Sequence, residues 1–234
     1  MTGPAPIRSR RIVVLLVGSA LLLSGCTRLG PPRPEVAYQA DVRIEVVLAD
    51  GERLPVEQLT EFYAAGRRRR QVTVEGVDVV VIDRPDLRVS WLLDPEARAF
   101  DEYWLKSREL DRFVPPDPFG PRAGGRYREA GVDEIHGVRV RRFEIEGDRV
   151  SGLAWISRDG VPVRFEGEVG LHSVRVEYGE VQRGRLAAYL FAIPPTYAGY
   201  EDRKQRASEK RDDGIERAVR KLRAEREWRP THLR

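Results

Sequence analysis

From Tyr38 to Tyr178 the chain repeats with a period of two. Tyr38, Ala40, Val42, Ile44 and Val46 alternate with Gln39, Asp41, Arg43 and Glu45. Val163, Phe165 and Val169 alternate with Arg164, Glu166 and Glu168, and His172, Val174, Val176 and Tyr178 alternate with Ser173, Arg175 and Glu177. Successive side chains of a strand point to opposite faces, so the pattern demands strands with one buried and one wetted face. Val77 to Ile82 is apolar on both faces except at Asp78, the pattern of a more central strand. Further strands are predicted near residues 59–65, 67–75, 88–93, 98–104, 138–146 and 149–157. The residues between them are turn formers. Arg158-Asp159-Gly160 offers the positive φ of a tight hairpin, and Asp83-Arg84-Pro85-Asp86 and Asp94-Pro95-Glu96 place Pro where a turn needs φ near −65°. Short connections make neighbouring strands antiparallel. No segment is long and periodic enough for repeated βαβ crossovers, which argues against a Rossmann-like sheet.

The amino terminus has a different character. Arg8, Arg10 and Arg11 precede an apolar run from Ile12 to Leu23. At about 1.5 Å per residue, about twelve residues cover about 18 Å of a hydrocarbon core about 30 Å thick, too little to span it. A basic segment followed by a short apolar one reads as a secretory signal over residues 1–25. It ends Leu23-Ser24-Gly25-Cys26, which resembles a bacterial lipobox. The resemblance implies cleavage before Cys26, diacylglyceryl attachment to its sulfur and acylation of the new amine. Several buried acyl chains then give stable anchoring. Thr27, where an Asp would imply inner-membrane retention, implies the periplasmic face of the outer membrane. Residues 26–37, with three prolines in the stretch TRLGPPRPE, read as a semi-rigid tether able to hold the body about 28 Å from the lipid.

Charge divides the chain further. The whole sequence has 41 Lys+Arg against 37 Asp+Glu, a formal net charge of +4, too small an excess to mark a nucleic-acid partner. Three of those arginines lie in residues 1–25, and residues 201–234 hold twelve basic and eight acidic residues, which leaves residues 26–200 at −3. In the tail, Ile215, Ala218, Val219 and Leu222 make a narrow apolar stripe at helical spacing, so a marginal charged C-terminal helix is predicted over 201–234. Between the strands, Lys106 to Phe113 reads as a short helix. The following Val114-Pro115-Pro116-Asp117-Pro118-Phe119-Gly120-Pro121 can form neither helix nor central strand.

Several motifs occur in a telling order: Val80-Val81-Ile82-Asp83-Arg84, then Val89-Ser90-Trp91-Leu92-Leu93-Asp94-Pro95-Glu96, then Gly152-Leu153-Ala154-Trp155-Ile156-Ser157 and Gly160-Val161-Pro162-Val163-Arg164, and finally Leu190-Phe191-Ala192-Ile193-Pro194-Pro195. This order resembles the LolA/LolB-like superfamily of periplasmic lipoprotein carriers and receptors, over roughly residues 38–200. The resemblance implies a mainly β (α+β) fold with a single curved antiparallel sheet. The sheet would form a half-open β-barrel with one short helix or loop as cover, followed by the C-terminal helix. It also implies an apolar concave side able to receive acyl chains.

The candidate residues follow. Phe62, Trp91, Tyr103, Phe143, Trp155, Phe165 and Tyr178 either line such a cavity or fill the core. If Arg67-Arg68-Arg69-Arg70 lies on a strand, alternation sends Arg68 and Arg70 to one face, where they would meet acidic side chains or a ligand anion; an edge strand guarded by charge, or the turn between strands, is the other reading. Phe113 and Phe119 in the Pro-rich loop would touch a bilayer or a partner protein, or else pack back onto the body. His172 lies on an apolar-facing register and His136 beside Gly137 in a turn. With one Cys and three scattered His there is no disulfide, no metal site and no thiol chemistry to expect. No Walker loop, HExxH or GxSxG occurs, so the chain reads as a non-enzyme without cofactor. The expectation is a lipid-anchored envelope protein binding a lipid, acyl chain or lipoprotein in its concave face, serving outer-membrane lipoprotein sorting or envelope maintenance. The alternative is a scaffold that holds a partner protein through the Pro-rich loop and the basic tail.

Overall fold

A computed structural model describes residues 27–74, 76–112 and 114–199. Cys26 and the signal segment, Phe113, and the tail from 200 onward with its expected helix lie outside the described residues. The strands are β1 (Thr27–Leu29), β2 (Tyr38–Val47), β3 (Glu57–Ala64), β4 (Arg67–Val74), β5 (Val77–Arg84), β6 (Val89–Asp94), β7 (Ala99–Trp104), β8 (Arg126–Ile135), β9 (Val138–Glu146), β10 (Val150–Ser157), β11 (Pro162–Val169), β12 (His172–Arg183) and β13 (Ala198–Gly199). All thirteen join one open sheet in the order β1-β8-β9-β10-β11-β12-β2-β3-β4-β5-β6-β7-β13. Every pairing is antiparallel except β13 with β7. Tight turns close the hairpins: Ala65-Gly66 and His136-Gly137 each place two consecutive residues at positive φ, the turn whose twist matches the strands.

The sheet curls, and three consecutive residues show it. Arg68 of β4 holds Asp117, Phe119 packs on Phe165 of β11, and the Tyr127 hydroxyl of β8 donates to the Pro118 carbonyl at 3.0 Å. β8 and β4 are seven steps apart in the sheet order. At about 4.8 Å per step a flat sheet would separate them by about 34 Å. Only a sheet bent around Asp117–Phe119 brings both within side-chain reach of one short segment. The concave face carries the main core: Ala40, Val42 and Ile44 of β2, Phe143 and Ile145 of β9, and Val174 and Val176 of β12 are all nearly inaccessible.

Two expectations are corrected here, and one strand is added. The helix expected over Lys106 to Phe113 is not formed: within that stretch the described residues make only the 3-10 turn Leu110–Arg112. So short a stretch, with Leu110 as its buried apolar anchor and Pro115 close behind, cannot offset helix nucleation. Arg126–Ile135 is a strand that alternation did not reveal, because a bulge between Glu129 and Gly131 shifts its register and breaks the period. The Pro-rich stretch after Cys26 is docked rather than extended as a tether. Thr27–Leu29 pairs with β8, and the Glu35 amide donates to the Asp159 carbonyl at 2.9 Å. At Gly160, φ is +83° and a Cβ would stand 2.5 Å from the Arg33 carbonyl, so this docking requires glycine.

Candidate functional site

The two faces of the sheet offer different space: the bowl inside the curl and an open trough on the outer face. The bowl is filled by the chain itself. The Pro-rich loop enters it as a plug, with Phe119 edge-on to Phe165 and Tyr178 at 6.2 and 6.0 Å between ring centroids. Asp117 accepts two hydrogen bonds from Arg68 Nη1, at 2.8 and 2.7 Å, and lies 3.0 Å from Arg70 Nη1. It also caps its own turn by accepting from the Phe119 amide. Gly120 is needed there, since a Cβ would fall 2.2 Å from Asp117 Oδ2.

Around that contact lies a buried polar network. Arg68 Nε donates to Glu61 Oε2 at 2.7 Å, the Tyr38 hydroxyl donates to Glu61 Oε1 at 2.6 Å, and Arg68 Nη2 donates to the Tyr178 hydroxyl at 3.0 Å. Arg122, at the far end of the plug, donates to Asp83 Oδ1 and to Asp111 Oδ1, each at 3.0 Å, and Arg149 Nη2 donates to Asp111 Oδ2 at 2.7 Å. Arg70 and Asp83 stand 3.6 Å apart, an ion pair without a hydrogen bond. Burial alone would raise the Asp117 pKa, but the guanidiniums of Arg68, Arg70 and Arg122 outweigh it and hold the carboxyl well below its ordinary range. Burial, reinforced by the Glu61 charge, pushes the Tyr38 and Tyr178 hydroxyls well above theirs. Asp117 is therefore held as a carboxylate and Tyr38 and Tyr178 as neutral phenols at ordinary pH, an arrangement that fastens a loop.

The four-arginine run is divided as alternation requires, on a strand with neighbours on both sides and not at an edge. Arg68 and Arg70 face the bowl, and the anions they meet are carboxylates of the chain rather than an outside ligand. Arg67 and Arg69 face outward and clasp a second cover. The Arg67 guanidinium lies 5.2 Å from the Phe191 ring centroid, and Arg69 Nη1 donates to the Leu190 carbonyl at 3.1 Å. Phe191 sinks among Val80, Ile82, Trp91 and Leu93 on the outer face.

The seven candidate aromatics do not share one cavity. Phe143, Phe165 and Tyr178 are in the bowl core, and Tyr103 is at its edge beside Leu110. Phe62 and Trp91 lie under the Phe191 cover, and Trp155 packs on Ile135 and Val140 on the outer face. Phe119 points into the bowl at 9% exposure, so it is no membrane- or partner-facing side chain. The plug was the missed element. Asp117 lies 49 residues from Arg68, and no sequence signal joins them.

The outer trough has a volume of about 1270 Å³. Its floor is the wetted side of the central ladder: Asp41 faces Thr60, Thr60 faces Gln71, and Thr73 faces Asp78. Val138 and Val163 wall one end, Pro95 and Tyr197 the other. A strongly twisted sheet is saddle-shaped, so a face that is convex along one diagonal is hollow along the other. On the floor Thr60 donates to Asp41 at 3.2 Å and Thr73 to Asp78 at 2.6 Å, while the charged lining residues Arg43, Glu177 and Arg183 are each paired with a charged neighbour.

No family profile and no curated protein matches the chain. Solved structures are similar in fold at low identity. A LolA superfamily protein from Nitrosomonas europaea is 12% identical, with a TM-score of 0.40 over 68% of this chain and 91% of that one. An uncharacterized conserved protein from Thermus thermophilus is 13% identical, with a TM-score of 0.45 over 70% and 90%. The MucA/MucB complex of Pseudomonas aeruginosa gives 13% identity and a TM-score of 0.42 over 70% of this chain and 57% of that one. No ligand or partner is taken from these likenesses.

Proposed function

We propose that this is a lipid-anchored envelope protein that works by binding rather than catalysis, and that it receives an extended segment of a partner protein in its outer trough. The observation that carries the reading is the exchange of roles between the two faces: the apolar bowl is occupied by the plug, and the open space lies over a polar floor. Gln58, Thr60, Gln71 and Thr73 present donors and acceptors suited to a peptide backbone. A hydrocarbon chain laid on them would strip their water and return no hydrogen bond. The apolar ends suit side chains of the same peptide. Acylation of Cys26 holds the protein at the outer membrane and brings the trough to partners there.

A second reading, acyl cargo in the bowl, is favoured by one observation: the plug is fastened largely by charge, through Asp117 and Arg122, and its withdrawal would bare an apolar hollow. One experiment separates the two. A photo-reactive residue at Gln58 or Gln71 gives a cross-linked protein adduct in cells, and Thr60→Arg, which fills the trough, abolishes it. Stoichiometric acyl chain extracted from the purified protein, with no trough-dependent adduct, would favour the second reading. Cys26→Ser releases the protein from the membrane fraction if the anchor is as proposed.

A further inference from the structure

A smaller hollow of about 230 Å³ lies between the docked stretch Pro31–Glu35 and the β10–β11 turn, lined by Pro31, Pro32, Arg33, Glu35, Arg141, Arg158 and Gly160. Three arginines and one glutamate line one space. Elsewhere in the fold inward-facing arginines are matched by carboxylates, as Arg68 and Arg122 are. Here Arg33 and Arg158 enter no ion pair among the described residues. Arg141 reaches Glu129 only at 3.8 Å, in a half-exposed pair that contributes little. The Arg141 guanidinium lies 5.4 Å from the Phe143 ring centroid, and its buried Nε has no hydrogen-bond partner among the described residues. Gly160, which admits the Arg33 backbone, fixes one wall.

We infer that this hollow is an anion site for a phosphate group, held by Arg33, Arg141 and Arg158. Guanidinium forks match tetrahedral oxyanions, and convergent charge-assisted hydrogen bonds are the strong ones. The volume admits a phosphate group with its first substituent atoms. Arg33 is seven residues from Cys26, and the stretch between is docked from Thr27 onward. A phospholipid headgroup is therefore within reach if Cys26 is anchored as proposed. A soluble phosphate has the same chemistry without that condition.

The test uses the chain from residue 26 onward carrying Cys26→Ser, which contains all the described residues and no lipid. Titration with inorganic phosphate at constant ionic strength is expected to give saturable binding. Arg33→Ala and Arg158→Ala, both at exposed side chains, are each expected to weaken it about tenfold. Arg175→Ala, outside the hollow, is expected to leave it unchanged. Co-sedimentation with phosphatidylcholine vesicles, with and without phosphatidylglycerol, distinguishes the sources. Binding to the anionic vesicles that falls in the same two variants assigns the headgroup, whereas phosphate binding without vesicle binding assigns a soluble ligand. Phosphate binding that is absent in the parent, or equal in the parent and both arginine variants, would overturn the site. Failure of the Cys26 anchor would leave the phosphate titration unaffected.

Discussion

The bowl and the trough are the two faces of one set of strands, and they are built from opposite materials. In β2, Val42 and Ile44 point into the bowl while Asp41 and Arg43 point to the other side, Asp41 on the trough floor. In β4, Arg68 and Arg70 hold the plug inside while Arg69 holds the Phe191 segment outside. Burial of apolar area drives folding and leaves the bowl no choice but to be filled. Among the described residues no α-helix covers the concave side, so the Pro-rich loop does so, and the loop is directed by charge. On the outer face the Phe191 and Trp155 clusters are buried, and the polar floor between them is free to meet something else. The difference teaches that a curved sheet does not by itself make a carrier: what matters is which face keeps unoccupied space.

The sharpest way to break the contrast is at the plug. Asp117→Ala leaves Arg68 and Arg70 facing a buried site with one carboxylate fewer, and breaking a buried pair costs about 3–5 kcal/mol. Urea unfolding should show a loss of that size, with trough cross-linking retained under conditions where the variant stays folded. Phe119→Ala removes the aromatic wedge between Phe165 and Tyr178, at a cost of about 3 kcal/mol or slightly more. Calorimetry should show a lowered Tm, and if the bowl is a latent acyl site, a fluorescent acyl probe should now bind.

Acid sharpens the comparison next. The folded pKa of Asp117 is depressed. Its contribution is therefore complete above the unfolded value of about 3.9 and is lost as pH falls toward the folded one. Stability measured from neutral pH downward should hold to about pH 4 and then decline, and Asp117→Asn should flatten that decline. The smallest effect on stability belongs to the trough. Thr60→Ala and Gln71→Ala should change stability by no more than about 0.5 kcal/mol, yet weaken the cross-linked adduct. A large stability loss there would mean that the trough floor is core.

Much of this was legible before any coordinates. Alternation located β2, β11 and β12, and with a strand near 67–75 the pleat alone places Arg68 and Arg70 on one face and Arg67 and Arg69 on the other. β8 was not legible: the bulge at Gly131 breaks the period on which the inference depends. The partner of Arg68 was not legible either, since Asp117 reaches it through the curl of the sheet and not through any local pattern. For the same reason the aromatics looked like one set. Phe143 and Trp155 are both large and apolar, and only the register of β9 and β10 shows that they stand on opposite faces. The trough left no trace at all, because Thr60 and Gln71 are what any wetted strand face carries. Cys26 and its lipobox were legible as motif, and they lie outside the described residues.

The central claim is that the plug fills the bowl while the trough stays open, and thiol labelling tests it most directly. In a Cys26→Ser background, a single cysteine is placed by Phe119→Cys or by Gln71→Cys and exposed to a maleimide under native conditions. The account predicts that the Gln71→Cys thiol reacts at the rate of a free thiol, while the Phe119→Cys thiol reacts only as fast as the protein unfolds. Equal, rapid labelling of both under conditions where the fold is intact would contradict it and mean that the bowl stands open.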